Sequence, residues 1–142
     1  MQKQPTVNPK LWEVLFFDLG DQELTVYNEG DSIVLKTWDY KTEMTEKGQV
    51  WTPINIRTKT NRLNVAEEDS IYNWTSAIVK SPTMPVNFCT DYVGSLKVSI
   101  TYSRLPKVIQ SSEFGSICEW RIISKETDKM HKLFKAKFEE LK

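Results

Sequence analysis

Gly94-Ser95-Leu96-Lys97-Val98-Ser99-Ile100-Thr101-Tyr102 alternates without a break. In an extended chain Leu96, Val98, Ile100 and Tyr102 share one face, and Ser95, Lys97, Ser99 and Thr101 share the other. Such a segment buries one side and solvates the other, which is the pattern of an antiparallel sheet. A parallel strand, covered on both sides, reads instead as a continuous apolar run.

Outward from this strand the same period recurs. Leu24 and Val26 alternate within Glu23–Asn28, Asn28-Glu29-Gly30-Asp31 reads as a tight turn, and Ser32–Trp38 returns, so residues 22–38 form a hairpin. The stretch Asp39–Gly48 is polar and without period, and reads as a long hairpin loop. Gln49–Thr58 alternates again, with Trp51, Pro53, Asn55 and Arg57 on one face and Val50, Thr52, Ile54 and Ile56 on the other. Pro53 lacks a donor and predicts an edge strand or a bulge. Ala66–Ser70 reads as a short acidic turn or helix, Ile71–Val79 as a strand, Ser81–Pro85 as a rigid loop, residues 104–115 as a loop and Ile117–Ile123 as the last strand.

The chain closes on a helix over residues 125–142. Ser124 can cap it, and Glu126 and Asp128 suit the positive end of its dipole. Met130, Leu133, Phe134, Phe138 and Leu141 make one apolar stripe, with Lys125, Lys129, Lys132 and Lys135 opposite. Lys137 falls inside the stripe and must snorkel or meet a partner. No β–helix–β alternation is present, which argues against a parallel α/β fold. The expectation is one mainly β domain, residues 1–142: an antiparallel β-sandwich or barrel of about seven or eight strands with a C-terminal amphipathic helix. Residues 1–10 read as a flexible arm.

The chain has 142 residues, with five Trp, five Tyr and six Phe, enough apolar surface for a core without a metal or disulfide staple. No run is long and apolar enough for a signal peptide or a spanning helix, so a cytoplasmic protein is expected. Cys89 and Cys118 read as reduced, buried thiols. Asn73-Trp74-Thr75 matches a glycosylation sequon by chance in such a setting. His131 is the only histidine, and there are only five glycines. That removes the usual zinc sets, the base-activated nucleophiles and the glycine-rich phosphate loops. Asp18, Asp21, Glu67, Glu68 and Asp69 could line a cleft, but acidic runs of this kind are usually solvated turns. The chain is therefore expected to be no enzyme and to hold no cofactor.

Lys plus Arg equal Asp plus Glu at 19 each, yet the layout is uneven. Residues 1–70 carry 8 basic and 12 acidic groups, and residues 71–142 carry 11 and 7. The acids Glu13, Asp18, Asp21 and Glu23 sit in a stretch free of Lys and Arg, and become candidates for self-association with a basic pole of another copy. A contact between unlike faces builds rings or filaments. Trp51 with Arg57, Lys59 and Arg62 suggests a second use: exposed aromatics beside basic groups can stack bases and track phosphates, as on an oligonucleotide-binding barrel. A strand Trp more often covers a core layer.

The strand Val93–Tyr102, and the passage from Cys118–Ile123 through Ser124-Lys125-Glu126 into an amphipathic helix, resemble the late sheet strand and the C-terminal end of small matrix proteins of negative-strand RNA viruses. The Pro-rich budding motif of some such proteins is absent. The resemblance implies a cytoplasmic, non-enzymatic assembly protein, inside the virion if viral. It would form homo-oligomers, contact RNA or nucleocapsid, and touch a membrane peripherally through basic residues, and the resemblance assigns none of these roles residue by residue. Charge alone makes Lys125, Lys129, Lys132 and Lys135, with Arg57, Lys59 and Arg62, the candidates for contact with RNA, lipid or the next subunit. The alternative is a single-stranded nucleic-acid-binding β-barrel.

Overall fold

A computed structural model describes residues 11–80, 94–103, 108–117 and 119–141. The expected N-terminal arm, the Ser81–Pro85 loop, Cys89 and Cys118 lie outside them. The strands are β1 (Trp12–Asp18), β2 (Gln22–Tyr27), β3 (Ser32–Thr45), β4 (Gly48–Arg62), β5 (Gly94–Tyr102) and β6 (Val108–Ile117). The helices are α1 (Val65–Lys80) and α2 (Lys125–Lys137), and a single 3-10 turn, Trp120–Ile122, precedes α2. All strands join one antiparallel sheet in the order β4-β3-β2-β1-β5-β6. The protein is mainly β, antiparallel, and ends on an amphipathic helix, as the alternation requires. Among the described residues the strands number six and lie in one sheet, and the layer packed against it is two helices, where a sandwich or barrel of about seven or eight strands was expected.

The inner face of the sheet is the apolar parity of each strand. Leu15 and Phe17, Leu24 and Val26, Ile33 and Leu35, and Leu96, Val98, Ile100 and Tyr102 are all buried there. A register slip against β5 between Trp12 and Val14 brings Trp12 into the same core. α2 lowers its stripe onto this face, with Met130 and Phe134 fully buried and the Phe134 ring edge-on to Phe17 at 5.2 Å. Ser124 caps the helix in a reciprocal capping box with Thr127, so two amides left open at the first turn are satisfied locally. α1 stacks Tyr72 on Trp12 at 5.8 Å, and the buried Tyr72 and Tyr102 hydroxyls share a hydrogen bond of 2.9 Å. The Tyr102 hydroxyl also lies within donating distance of Gln110 Oε1, at 3.1 Å. Burial, then Tyr72, pushes the Tyr102 phenol far above its ordinary range. Tyr102→Phe strands two polar partners while keeping the ring, so a loss of about 1–3 kcal/mol is expected by urea denaturation; an unchanged midpoint would show that the hydroxyl chain contributes nothing.

Three segments differ from the sequence reading. Ile71–Val79 is helix, not strand. Ile71, Tyr72, Thr75, Ser76 and Ile78 are its buried side, at helical spacing, and Asn64 caps it reciprocally with Glu67 (Asn64 N–H to Glu67 Oε1, 3.0 Å; Glu67 N–H to Asn64 Oδ1, 2.8 Å). Residues 108–115 are strand rather than loop, paired along β5 from Tyr102↔Val108 to Ser95↔Gly115. Residues 120–122 are the 3-10 turn rather than strand. Among the described residues no helix is long and apolar enough to cross a membrane.

Candidate functional site

β2 pairs with β3 only as far as Thr37. From Asp39↔Ile54 out to Thr45↔Gly48, β3 and β4 pair with each other alone. The expected loop over residues 39–48 is thus strand up to Thr45, and the reversal takes only Glu46-Lys47, with Gly48 at φ +112°. Glycine suits that left-handed geometry because it has no Cβ. The result is a two-stranded arm extending past the rest of the sheet. Tyr40, Met44, Val50, Trp51 and Ile56 are exposed on it, Met44 to 81% and Trp51 to 60%.

A free two-stranded ribbon is marginal in water, so its base needs an anchor. The Tyr40 hydroxyl donates to the Gly20 carbonyl at 3.2 Å, and Arg57 grips both oxygens of Asp39 at 3.3 and 3.4 Å. The Arg57 and Asn55 hydrogen bonds hold the Asp39 carboxyl below its usual range. Trp38, Tyr40 and Trp51 form an edge-to-face row with ring separations of 6.4 and 5.9 Å, and Lys36 Nζ lies 6.0 Å from the Trp38 ring centre.

The arm and the sheet meet at a bulge. Between Thr37↔Arg57 and Asp39↔Ile54, one residue of β3, Trp38, faces two of β4, with Asn55 at φ +53°. One inserted residue inverts the facing of everything beyond it. Strict alternation puts Trp51 and Arg57 on one face; the bulge puts them on opposite faces. Arg57 joins Asp39 on the helix side, and Trp51 joins Tyr40 on the other. Both expectations drawn from Pro53 hold, since β4 is an edge strand and its bulge lies two residues on.

On the helix side the arm overhangs a cleft of about 740 Å³, lined by Asp21, Gln22, Trp38, Arg57, Lys59 and Glu140 among others. Lys59 pairs with Glu140 at 3.1 Å. A backbone N–H and then Lys59 hold the Glu140 carboxyl below its usual range. Gln22 Nε2 donates to the Glu140 carbonyl at 2.9 Å, and the buried Trp38 Nε1 has no partner among the described residues.

The other basic candidates stand apart. Arg62 faces Ser32 on the open side of the sheet. Lys125, Lys129, Lys132 and Lys135 are exposed on α2, where Lys132 pairs with Asp128 at 3.2 Å and Lys135 donates to the Leu141 carbonyl. Lys137, the cation in the apolar stripe, meets Glu67 at 3.1 Å, both side chains being 22% exposed. The Asn64 N–H, and then Lys137, hold the Glu67 carboxyl low.

The acidic candidates also disperse. Glu13 accepts from Ser103 Oγ at 3.1 Å, Asp18 accepts from the Gly20 N–H at 2.8 Å, and Asp21 lines the cleft. Across the open face one row runs Glu113, Lys97, Asp18, Glu23, Lys36 through cross-strand neighbours. Asp18 and Glu23 face each other in that row, flanked by Lys97 and Lys36. The sequence reading missed Trp38, Asp39, Tyr40, Met44 and Glu140; the alternation of Trp38 and Tyr40 was the one signal that β3 continues past residue 38. Among the described residues, no three His, Cys, Asp or Glu side chains group as a metal site. No protein-family model, no curated protein and no solved structure matches the chain.

Proposed function

We propose that this protein is a non-enzymatic assembly protein, of the matrix-like kind its sequence resembles, that multimerises by laying its β3–β4 arm on another copy. The arm and the bulge at its base carry the reading: Tyr40, Met44 and Trp51 stand exposed on the arm's open face, with Ile56 exposed at the bulge and Val50 exposed on the helix side. Clustered exposed apolar groups mark contact surfaces. A second copy suits the arm because net charge is zero, so copies do not repel at long range. Each copy also offers a sheet face that no helix covers among the described residues, with Tyr27 and Ile109 exposed on it. A contact of arm to face is heterologous and grows into rings or filaments.

The ion pairs sharpen the test. Arg57, Lys59 and Lys132 are neutralised within the chain, so the contact is apolar and survives salt, which screens exposed charges. Light scattering across protein concentration is expected to show oligomers at both low and high salt, and the double variant Met44→Ser with Trp51→Ala is expected to remove every species larger than a dimer with unchanged circular dichroism. A wild-type monomer at every concentration overturns the reading.

The aromatic row supports a second reading, in which Trp51 and Tyr40 stack bases of a single strand while Lys36 and Arg62 meet phosphate. Oligonucleotide titration separates the two: quenching lost in Trp51→Phe favours nucleic acid, and no binding at low salt discards it.

A further inference from the structure

The sheet has two edges, and they are built differently. β4 carries the devices that protect an edge from pairing: Pro53 without a donor, a bulge at Asn55, and Arg57, Lys59 and Arg62 along its length. Over residues 108–114 β6 carries none of them, its one shift of register against β5 lying beyond, between Ser95↔Gly115 and Gly94↔Ile117. Val108-Ile109-Gln110-Ser111-Ser112-Glu113-Phe114 has no proline, no lysine or arginine and no register slip. Among the described residues it pairs with β5 alone. Its outward main-chain groups form a template for another strand.

We propose that β6 pairs antiparallel with β6 of a second copy, joining two sheets into one across a two-fold axis. This rests on the reading of the chain as self-associating, but uses a surface distinct from the arm. The register follows from the side chains. Residues facing each other across a strand pair must share a face, so inner positions 108, 110, 112 and 114 meet inner positions. Centring the axis on Ser111 meets that condition and sets Val108 against Phe114 of the second copy, Gln110 against Ser112, and Ile109 against Glu113. It keeps Glu113 away from its own image, where like charges repel. The strand's only charge is then no obstacle, and Phe114, buried at one end, gains an apolar neighbour on the helix side. A cleft there, between the end of α1 and the start of α2, is lined by Ala77, Ile78, Phe114 and Ile123 beside Lys80 and Glu126. It opens beside the first β6 residues of the second copy.

An edge pair is closed and stops at two. Combined with the open-ended arm contact it produces a lattice, because each copy then holds neighbours in two directions.

The test uses the full chain with the arm disabled by Met44→Ser and Trp51→Ala, so that only the edge is read. Sedimentation should show a concentration-dependent dimer. Ser111→Lys and Ser111→Glu, placed at the axis on an exposed outer position, should each weaken it by about fivefold or more, since like charges face each other. Mixed one to one, the two variants should recover it, because Lys then faces Glu; a merely misfolded variant would not be rescued. Hydrogen exchange should show β6 amides whose protection rises with protein concentration. A monomer on the arm-disabled background, or β6 protection independent of concentration, overturns the proposal. The salt and concentration series on the wild-type arm still stands or falls by itself.

Discussion

Phe134→Ala is expected to cost about 3–5 kcal/mol, the range for removing a buried aromatic ring. Phe134 is fully buried, edge-on to Phe17 at 5.2 Å and 6.2 Å from the Trp120 ring. It therefore joins three parts of the chain: the central strand β1, the turn before α2, and α2 itself. Little else can fill the space, because Met130 on one side and Phe138 on the other are already packed. Small domains hold only about 5–15 kcal/mol in total, so the variant sits near the edge of folding. Urea denaturation should show a lower midpoint with unchanged slope, and a midpoint in heat lower by roughly 10–20 °C. A loss under about 1 kcal/mol would mean that α2 does not cover the sheet.

Glu68→Gln is expected to stabilise the protein above neutral pH and to flatten its pH dependence. Glu68 is buried in the first turn of α1, and one of its oxygens has no partner among the described residues. Burial, and then the Asp31 carboxylate beside it, push its carboxyl up from 4.5 to about 7. The folded state thus binds a proton that the unfolded chain has released between those values. Stability from this group is fully present below about pH 4.5 and is lost as pH rises through about 7. The difference amounts to about 3 kcal/mol. Glutamine is always neutral and can donate to Asp31, so it reproduces the protonated state at every pH. Denaturation at pH 5 and pH 8 should give a wild type less stable at pH 8 and a variant nearly level. Equal pH slopes in the two proteins would place the titration elsewhere.

The sheet was legible wherever burial writes a pattern. β5 matches its reading residue for residue because both its neighbours and its inner face are fixed by the core. The Ser124 cap and the α2 stripe were legible for the same reason. α1 was misread because Ile71, Tyr72, Trp74, Thr75, Ile78 and Val79 are β-branched or aromatic, and their strand propensity is overridden by packing. The Asn64–Glu67 capping pair, with acids in the first turn, was the helical signal that outweighed them. β6 was illegible because it pairs on one side only, so Gln110, Ser111 and Ser112 satisfy the ladder without an apolar code. The arm was hidden likewise: residues 39–45 have no core to face. Of the candidate site, the exposure of Trp51 was legible. The bulge was not readable in position, and it separates Trp51 from Arg57. The ion pairs of Arg57 with Asp39 and Lys59 with Glu140 depend on a sheet register and a C-terminal turn that no local pattern announces.

The sheet order also sets the timetable of folding. β1 to β4 form a meander of neighbours, complete in sequence by Arg62, while β1 receives its other partner only from Gly94–Tyr102. On a ribosome adding roughly 5–20 residues per second, the second side of β1 waits roughly 5–15 s for that partner. During that interval Leu15 and Phe17 belong to an open edge, in a half-built sheet that neither α2 nor β5 yet covers. Closure across so long a loop is slow. Nascent chains are therefore most prone to wrong pairing before β5 emerges.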